Sequence, residues 1–509
     1  MNVILRRRLA NYKRRIQRHL DRNNLRGCEE PIMTASNIHY EVGDKTRGLS
    51  CGGIGAIHLM TRRLLFARVI DRRLHLLKIH LPYHESDHVL TLAYLPLCGG
   101  TCLEDLELLR HNEVFLNALG ARRIPDPTTA GDFCRRFTVA HINILQDIAD
   151  EMRLKVWAQQ PPAFFDQADI DVDGHLVETT GQCKEGMDIA YDGTWGYHPL
   201  LVSLANTHEV LRIVNRSGNR PSHEGAAAEL DRAIALCERA GFRKMLLRGD
   251  TDFSQTAHLD RWHANPRVRF LFGFDATDNL KEIADNLPPD AWQSLLRPPR
   301  YQVKTESRQR PNNVKESIVV RRQFENQRLQ SEEVAEFDYR PTACRNSYRM
   351  VVVRKNITVA KGECHLYDDL RYFFYITNDW DSTQADIVFS ANDRCHQENL
   401  IEQLRNGARA FRAPLDNLTS NWAYMVMTAL GWNLKAWWAL WLPEPPGRWR
   451  DKHRAEKQWV LHLEFKGFVN AFVNVPCQIV RQARKLIYRV LALNPYQAIF
   501  FRLVSALRC

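Results

Sequence analysis

The sequence contains no Cys-x-x-Cys pair, and its twelve cysteines are scattered over 509 residues. The closest spacing is Cys98-Gly-Gly-Thr-Cys102. No second cysteine or histidine pair stands at matching spacing, which argues against a structural zinc site. Scattered thiols without a pairing pattern are typical of reduced cysteines, so we expect a cytoplasmic protein.

Long apolar runs are also missing from the chain. The most apolar stretch extends from Trp422 to Leu442, but Asn433 and Lys435 interrupt it and leave eleven residues free of strongly polar groups. A helix that spans a bilayer needs about 20 such residues, so this stretch predicts a buried core helix and no membrane partner. The basic N-terminus is followed by no apolar segment of signal-peptide length.

Positive charge is concentrated at the two ends of the chain. The sequence has 70 Lys and Arg residues against 59 Asp and Glu residues. Residues 1–30 hold nine basic and three acidic residues, and residues 447–509 hold twelve basic and three acidic ones. Basic ends predict a polyanion partner, because Lys and Arg side chains that bind phosphates release condensed counterions. A solvated charged surface is the alternative interpretation.

Hydrophobic periodicity divides the chain into a helical first part and a sheet-forming middle part. A capping box at Thr101–Glu104 and a proline-containing start at Pro125–Thr129 predict short helices in the first part. From about Phe164, aliphatic and alternating runs predict strands with helices between them. Residues 279–346 are polar and proline-punctuated, yet Ser317–Arg322 still has the pattern of a strand. The order of these elements predicts an α/β fold.

Three acidic residues stand where strands and a helix would bring carboxylates together. In Asp169-Ile-Asp-Val-Asp173 the aspartates share one face of a strand, and Asp173 lies at its end. Asp250 follows the predicted strand Lys244–Gly249 at its carboxyl end, the edge at which open α/β sheets bind ligands. Glu398 lies on a helix predicted to begin near Ser390.

Each of these acidic residues also has a purely structural interpretation. Asp250 fits an Asx-turn that caps the next helix. Arg394, Glu398 and Arg405 stand at i, i+4 and i+11, which fits a surface stripe of ion pairs on one helix. If one of the three acidic residues has no catalytic role, that role would belong to a neighbouring carboxylate such as Asp171 or Glu402.

Five runs, taken in this order, resemble a bacterial insertion-sequence transposase of the DDE type over nearly the whole chain. They are Tyr83-His-Glu-Ser-Asp-His-Val-Leu90, Pro125-Asp-Pro-Thr-Thr-Ala-Gly-Asp-Phe133, Asp171-Val-Asp173, Arg248-Gly-Asp-Thr-Asp-Phe253 and Glu398-Asn-Leu-Ile-Glu-Gln-Leu-Arg-Asn-Gly407. The resemblance implies that Asp173, Asp250 and Glu398 are the catalytic and metal-binding carboxylates. Related enzymes carry a Tyr-x-x-Arg-x-x-x-Glu-x-x-x-x-x-x-Lys signature. Arg394, Glu398 and Arg405 match its last three positions with Arg in place of Lys, while Ala391 stands in place of Tyr.

The resemblance also implies an RNase H-like mixed sheet flanked by helices, with a β-rich insertion before the glutamate. The implied regions are a basic helical DNA-binding domain for end recognition (1–150), the first part of the catalytic core (160–278), the β-rich insertion (279–346), the second part of the core with the glutamate helix (347–412) and a basic helical C-terminal region (413–509). These boundaries are predictions for the structure.

Phosphodiester cleavage explains why such a family would need these groups. Converging carboxylates repel one another unless divalent cations neutralise them, and Mg²⁺, with Mn²⁺ as a substitute, prefers oxygen ligands. Two such ions can activate a water or a 3′-hydroxyl and stabilise the leaving oxygen. Arg394 and Arg405 would hold the DNA backbone, and the resemblance implies that Trp292 stacks on a base near the cleavage site. Four other tryptophans are predicted to lie in the core at helical spacing: Trp432, Trp437, Trp438 and Trp441.

We therefore predict a nucleoid-associated DNA transposase that acts as a homodimer on double-stranded DNA, both terminal inverted repeats and target. It would cut the ends of its element and join them to the target. One alternative is a catalytically inactive DNA-binding repressor of transposition, and another is an RNase H-fold nuclease without strand joining. The presence of all three carboxylates argues against the repressor, and the basic regions at both ends argue against the nuclease. The tail residues Arg481, Arg484, Lys485 and Arg489, on a predicted helix, fit either a dimer contact or a DNA contact.

Overall fold

A computed structural model of the chain describes residues 3–23, 38–40, 47–297, 314–482 and 485–508. The helices of the described chain are α1 (Val3–Asn23), α2 (Ile54–Arg63), α3 (Phe66–Arg73), α4 (Glu85–Tyr94), α5 (Leu106–Arg110), α6 (Glu113–Leu119), α7 (Pro127–Arg135), α8 (Val139–Trp157), α9 (Ala226–Ala240), α10 (Thr256–His263), α11 (Asp278–Asp285), α12 (Val314–Arg321), α13 (Gln384–Asp393), α14 (His396–Glu402), α15 (Leu418–Leu440), α16 (Arg450–His462), α17 (Phe465–Phe468) and α18 (Gln497–Arg508). The strands are β1 (Gly48–Leu49), β2 (Gln167–Gly174), β3 (Val177–Glu178), β4 (Asp188–Ile189), β5 (Trp195–Tyr197), β6 (Leu200–Leu204), β7 (Glu209–Val214), β8 (Lys244–Gly249), β9 (Val268–Phe274), β10 (Gln293–Ser294), β11 (Glu325–Tyr339), β12 (Tyr348–Lys361), β13 (Cys364–Thr377), β14 (Cys477–Gln482) and β15 (Lys485–Val490).

A nine-stranded mixed sheet forms the centre of the described chain, in the order β10-β11-β12-β13-β9-β8-β2-β6-β7. Strands β7, β6 and β2 are antiparallel neighbours, whereas β2, β8 and β9 run parallel to one another. The parallel strands are separated in sequence by the helices α9 and α10, as parallel connections require. The predicted mixed α/β fold, a large mixed sheet flanked by helices, is therefore confirmed.

The region predicted as a β-rich insertion contributes strands to this same sheet. Strands β10 and β11 pair with each other, and β11, β12 and β13 form a long antiparallel meander that joins β9. The strand predicted at Ser317–Arg322 is wrong, because Val314–Arg321 forms the helix α12, which buries no side chain. A helix satisfies its backbone hydrogen bonds within itself, so this segment needs no neighbouring strand. Residues 298–313 of the predicted insertion lie outside the described residues.

The apolar stretch predicted as a core helix is α15, which is buried from Ser420 to Leu440. Trp437 and Trp438 are fully buried, and Trp432 is almost so. Helix α15 contacts α4, α8 and the strand β7, so it joins the first helical region to the sheet. Within the described ranges, no helix is long and apolar enough to cross a membrane.

A buried ion network holds α8 and α15 on the edge strand β7. The fully buried guanidinium of Arg153 donates to the carboxylate of Glu209 at 3.0 Å and pairs with Asp150 on the same helix. The indole N–H groups of Trp157 and Trp437 donate to the same Glu209 at 2.9 and 2.7 Å. Buried charges are tolerated when they are paired and hydrogen-bonded, and these groups meet that condition.

The basic C-terminal region is not wholly helical. Strands β14 and β15 form a hairpin, and β14 also pairs with β1 through Gly48 and Gln478. The helix predicted for the basic tail is therefore wrong at Arg481, Lys485 and Arg489, which lie in this hairpin, while Arg484 is outside the described residues. In β14, Cys477 and Ile479 are buried, whereas the residues between and after them are not. This alternation favours a strand, and β1 supplies a strand with which it pairs.

Close packing of the first and last parts of the chain depends on Gly53. A Cβ atom at Gly53 would lie 1.8 Å from the carbonyl oxygen of Phe472 and 2.6 Å from the Cα of Val473. Both are backbone atoms, so the chain itself would have to shift. We expect Gly53→Ala to lower the free energy of unfolding in urea by roughly 1–3 kcal/mol. Gly48→Ala is the matched control because nothing lies within 4 Å of its Cβ position, and equal losses in both variants would contradict this account.

Candidate active site

The two predicted catalytic aspartates lie at neighbouring strand ends. Strands β2 and β8 are parallel, and their register pairs Asp171 with Arg248. Asp173 and Asp250, each two residues further along, are therefore at equivalent positions. Asp173 is the penultimate residue of β2, and Asp250 directly follows β8. The carboxyl edge of the sheet thus brings both aspartates together, as the sequence predicted.

Electrostatic effects join Glu398 and Arg394 to this pair. Burial raises the pKa of Asp173 to about 6, and the charges of Asp250 and Glu398 also raise it. The guanidinium of Arg394, 3.2 Å from the Asp173 carboxylate, lowers this pKa. Burial likewise raises the pKa of Asp250, and Arg394 lowers it. The three carboxylates and Arg394 form one cluster, called here the carboxylate cluster.

The Asx-turn alternative for Asp250 is also present. One carboxylate oxygen of Asp250 accepts the backbone N–H of Asp252 at 3.0 Å and caps the short 3₁₀ turn Thr251–Phe253. Among the described residues, the second carboxylate oxygen has no hydrogen-bond partner. The cap therefore orients the side chain of Asp250 and leaves an oxygen available to a ligand.

The two alternative carboxylates have other partners. Asp171 is 1% exposed, and Arg248 donates to both of its oxygens, at 2.6 and 3.0 Å. This bidentate pair neutralises Asp171 within the sheet. Glu402 accepts a hydrogen bond from Asn406 at 2.8 Å, and its charge acts on His175.

Sequence patterns did not predict a role for Gln397, which holds the glutamate helix on the sheet. Its side-chain amide is buried and donates to the carbonyl oxygens of Asp171 and Leu201 at 3.1 and 3.3 Å. These carbonyl groups belong to β2 and β6, so Gln397 anchors α14 over the strand that carries Asp173. No local pattern marks a single glutamine for this role, because its partners are distant in the chain.

Arg394, Glu398 and Arg405 do not share one regular α-helix, and the predicted single stripe is wrong. Helix α13 already contains Ser390 and ends at Asp393, Arg394 lies in the following turn, and α14 begins at His396. The chain then enters a π-helical turn at Gln403–Gly407. A π-turn changes the helical register, so Arg405 lines a cleft beside His175 instead of contacting the carboxylates.

The contacts of Trp292 are with the long meander of the sheet. The guanidinium carbon of Arg354 lies 4.1 Å from its ring centroid, and the ring of Tyr372 lies 6.5 Å away. These residues belong to β12 and β13, so the described contacts do not bring Trp292 to the carboxylate cluster. One face of its ring is covered by Arg354, and base stacking by Trp292 stays a prediction.

The carboxylate cluster offers the oxygen atoms that a divalent cation prefers as ligands. Its side chains are not close enough together to hold such an ion. Among the described residues, no three or more His, Cys, Asp or Glu side chains stand close enough together to hold a metal ion. Asp173, Asp250 and Glu398 nevertheless offer only carboxylate oxygens, the ligands that Mg²⁺ prefers. Arg394 supplies the positive charge that a cation would supply. A cation that took Asp173 as a ligand would compete with this ion pair.

We expect the carboxylate of Asp173 to destabilise the protein in EDTA above pH 6. A carboxylate whose pKa is raised on folding contributes stability that is complete below its unfolded pKa and is lost as the pH rises through its folded pKa. A pKa raised from 3.8 to about 6 corresponds to roughly 3 kcal/mol, and the loss of the Arg394 ion pair in an Asn variant offsets a part of this gain. Asp173→Asn should therefore unfold at higher urea concentration than the wild type above pH 6, and this advantage should shrink toward pH 4. An advantage that does not depend on pH would contradict the raised pKa.

Comparison with known proteins supports the resemblance to DDE-type transposases. The family model for the transposase DDE domain, group 1, matches residues 46–509. No curated protein sequence matches the chain. Among solved structures, the chain is similar to the piggyBac transposase in a cryo-EM synaptic complex with hairpin DNA, at 10% identity and a TM-score of 0.37, over 83% of this chain and 80% of that chain. A similarity at this TM-score adds no argument about fold or function. Because the family model extends over most of its length, the chain belongs to the group 1 family of DDE-domain transposases.

Proposed function

We propose that the chain is the transposase of a bacterial insertion sequence, which cuts the ends of its element and joins them to target DNA. The observation that carries this proposal is the carboxylate cluster of Asp173, Asp250 and Glu398 at the carboxyl edge of β2 and β8. Terminal inverted repeats and target DNA are the proposed double-stranded substrates, and two copies of the chain would act on paired ends.

Three residues would hold the metal ion, for which we propose Mg²⁺ with Mn²⁺ as a substitute. Asp173 and Asp250 approach from two strand ends, and Glu398 approaches from α14. When bound, such ions activate the attacking hydroxyl and stabilise the leaving oxygen of the scissile phosphodiester. Asp173 must be ionised to act as a ligand, and its raised pKa of about 6 supports activity at neutral rather than acidic pH.

Arg394 has two roles in this proposal. Without a cation, its guanidinium is the counter-ion of Asp173 at 3.2 Å. When freed from this pair, the guanidinium would donate two hydrogen bonds to phosphate oxygens of the DNA backbone. Arg405 would contact the backbone further along. Trp292 would stack on a base near the cleavage site.

Strand joining separates this function from the two alternatives. The test combines the purified chain, Mg²⁺, a labelled duplex that ends in the terminal repeat of the element, and a supercoiled target plasmid. We expect cleavage at the repeat boundary and labelled plasmid as the joined product. Specific binding without cleavage in Mg²⁺ or Mn²⁺ would instead support the repressor, and cleavage without joined product would support the nuclease.

A further inference from the structure

A pocket opens on one face of the glutamate helix α14. Its volume is about 280 Å³, and its other walls come from α15, from the end of α16 and from the turn before β7. Glu398 lies on the opposite face of α14, because four residues of the pocket lining stand at i, i+3, i+4 and i+7 and Glu398 stands at i+2. The four residues are His396, Asn399, Leu400 and Gln403. We call this feature the lysine pocket, after Lys435 of α15 in its lining.

Lys435 is a buried cation without a carboxylate partner. It is 1% exposed, and its ammonium group donates to the carbonyl oxygen of Leu461 at 2.7 Å. The same group lies 4.2 Å from the ring centroid of Trp432. An ammonium carries three N–H donors. No carboxylate in the described part of the chain forms an ion pair with this one, and burial lowers the pKa of Lys435 to about 7. The charge on Lys435 is therefore costly without a counter-ion.

A second buried lysine shows what such an ammonium group requires. Lys457 of α16 pairs with Glu444 at 3.2 Å and donates to the side-chain oxygen of Gln160 at 2.8 Å. Buried charges are tolerated when they are paired and hydrogen-bonded, and Lys457 meets that condition. Lys435 has the carbonyl group and the indole ring but no negative charge, so the lysine pocket has room for one.

Histidines add further nitrogen atoms to the same pocket. The rings of His208 and His462 pack edge to face, with their centroids 5.0 Å apart. Burial lowers the pKa of His208 to about 4, and the positive charge of His462 acts in the same direction. Lys435 and His396 also lower this pKa, so all four groups converge on the pocket. Glu464 is the acidic residue in the described lining. An anion between these groups would relieve their mutual repulsion.

Gln403 supplies an oriented neutral donor. Its side-chain oxygen accepts the backbone N–H of Phe465 at 2.9 Å, which fixes the amide between the glutamate segment and α17. The NH₂ group of the amide has no acceptor among the described residues, so it can donate to a ligand in the pocket. The lysine pocket thus combines one buried charge with a neutral donor on the facing wall.

We propose that the lysine pocket binds a small free oxyanion of the phosphate class. Lys435 supplies the charge, Gln403 supplies a neutral hydrogen bond, and a tetrahedral oxyanion has acceptor oxygens for both. A volume of about 280 Å³ is just below that of pockets that hold larger organic ligands, so it suits an anion of few atoms. The buried position of Lys435 favours a free anion over a phosphate of a duplex that lies on the protein surface. The bound anion would connect α14 to α15, and this role does not depend on DNA cleavage.

Thermal unfolding of the full chain in inorganic phosphate tests this proposal, with sodium chloride added to keep the ionic strength constant. The Tm of the wild type should rise with phosphate concentration along a saturable curve, because a ligand that binds only the folded state stabilises it by mass action. Phosphate also stabilises proteins generally by exclusion from their surface. That general effect is shared by all variants, so the comparison between variants isolates the site.

Lys435→Met removes the charge and keeps much of the apolar length of the side chain. It should bind phosphate at least about ten-fold more weakly, since a hydrogen bond to a charged group contributes about a decade of affinity or more. Lys457→Met is the matched control, because it removes the other buried ammonium and leaves the pocket lining unchanged. This control should keep the phosphate affinity of the wild type even if its Tm without phosphate is lower.

A second variant decides the result if Lys435→Met does not fold. Gln403→Glu keeps an acceptor for the N–H of Phe465 and places a carboxylate in the pocket with Lys435. It should fold and lose the saturable response, because the new charge repels the anion and neutralises the lysine.

Three outcomes would overturn the proposal. The first is a wild-type Tm that shows no saturable dependence on phosphate. The second is a response that persists in Gln403→Glu or falls equally in Lys435→Met and Lys457→Met. The third concerns DNA: if Lys435→Met loses about ten-fold or more in affinity for a repeat duplex, the phosphate that Lys435 binds belongs to DNA and not to a free anion. None of these measurements depends on cleavage, so the lysine pocket and the proposed function can fail separately.

Discussion

Asp250→Asn should lower the rate of Mg²⁺-dependent cleavage at the repeat boundary by at least about 10³-fold, which is roughly 4 kcal/mol of lost transition-state stabilisation. The substitution keeps the shape of the side chain and its cap on the Asp252 N–H, but it removes the charge that would bind a cation. Binding of the repeat duplex should change by less than about two-fold, because the cluster binds the metal rather than the end sequence. Asp173→Asn and Glu398→Gln should cause losses of the same order. Gel-resolved cleavage rates and fluorescence anisotropy measure the two effects.

Neighbouring acids supply the matched controls for this prediction. Asp252→Asn alters an exposed carboxylate on the same turn, whereas Glu402→Gln alters an exposed carboxylate on the same helix as Glu398. Both variants should retain cleavage within about ten-fold. Full activity in Glu398→Gln together with loss in Glu402→Gln would move the third ligand to Glu402. Loss of repeat binding in Asp250→Asn would show that the variant is misfolded or that the cluster binds DNA directly.

Arg153→Met should have the largest effect on stability, with a loss of about 3–5 kcal/mol in the free energy of unfolding. Removal of the guanidinium leaves the carboxylates of Asp150 and Glu209 buried with too little compensating charge. Methionine keeps much of the apolar volume, so the loss reports the charge and not a cavity. Urea denaturation monitored by tryptophan fluorescence is the measurement, because Trp157 donates to Glu209 within the same network.

A more exposed ion pair between α3 and α8 provides the comparison for Arg153. Arg73 pairs with Glu151 of α8 at 3.6 Å, and both side chains are about one-third exposed. Arg73→Met should lower the free energy of unfolding by less than about 1 kcal/mol, since solvent screens such pairs. If the two variants lost equal stability, the buried network would not be what holds α8 and α15 on β7.

Local hydrophobic patterns in the sequence predicted the strands β2 and β8 and the buried helix α15. The alternating run that ends at Asp173 formed β2, and the run before Asp250 formed β8. Because both strands are short and parallel, their ends had to meet at one edge of the sheet. The apolar stretch after Trp422 formed the buried helix α15. Apolar side chains lie on all faces of this helix, so none of its faces is suited to solvent.

The features that the sequence did not predict depend on contacts between distant segments. The hairpin of β14 and β15 forms against β1, whose Gly48 pairs with Gln478 across almost the whole chain. Arg394, in the turn between α13 and α14, forms an ion pair with Asp173, and Gln397 donates to carbonyl groups of β2 and β6. Helical spacing alone therefore predicted a continuous stripe, whereas tertiary contacts accompany a broken helix that places Arg405 in a cleft beside His175.

The central claim is that the carboxylate cluster holds the metal that cleaves DNA. Its most direct test measures cleavage of a labelled terminal-repeat duplex by the wild type and by Asp250→Asn, each in Mg²⁺ and in EDTA. The account predicts cutting at the repeat boundary only for the wild type with Mg²⁺, with repeat binding in all four samples. Cutting by the wild type in EDTA, or equal cutting by Asp250→Asn in Mg²⁺, would contradict it.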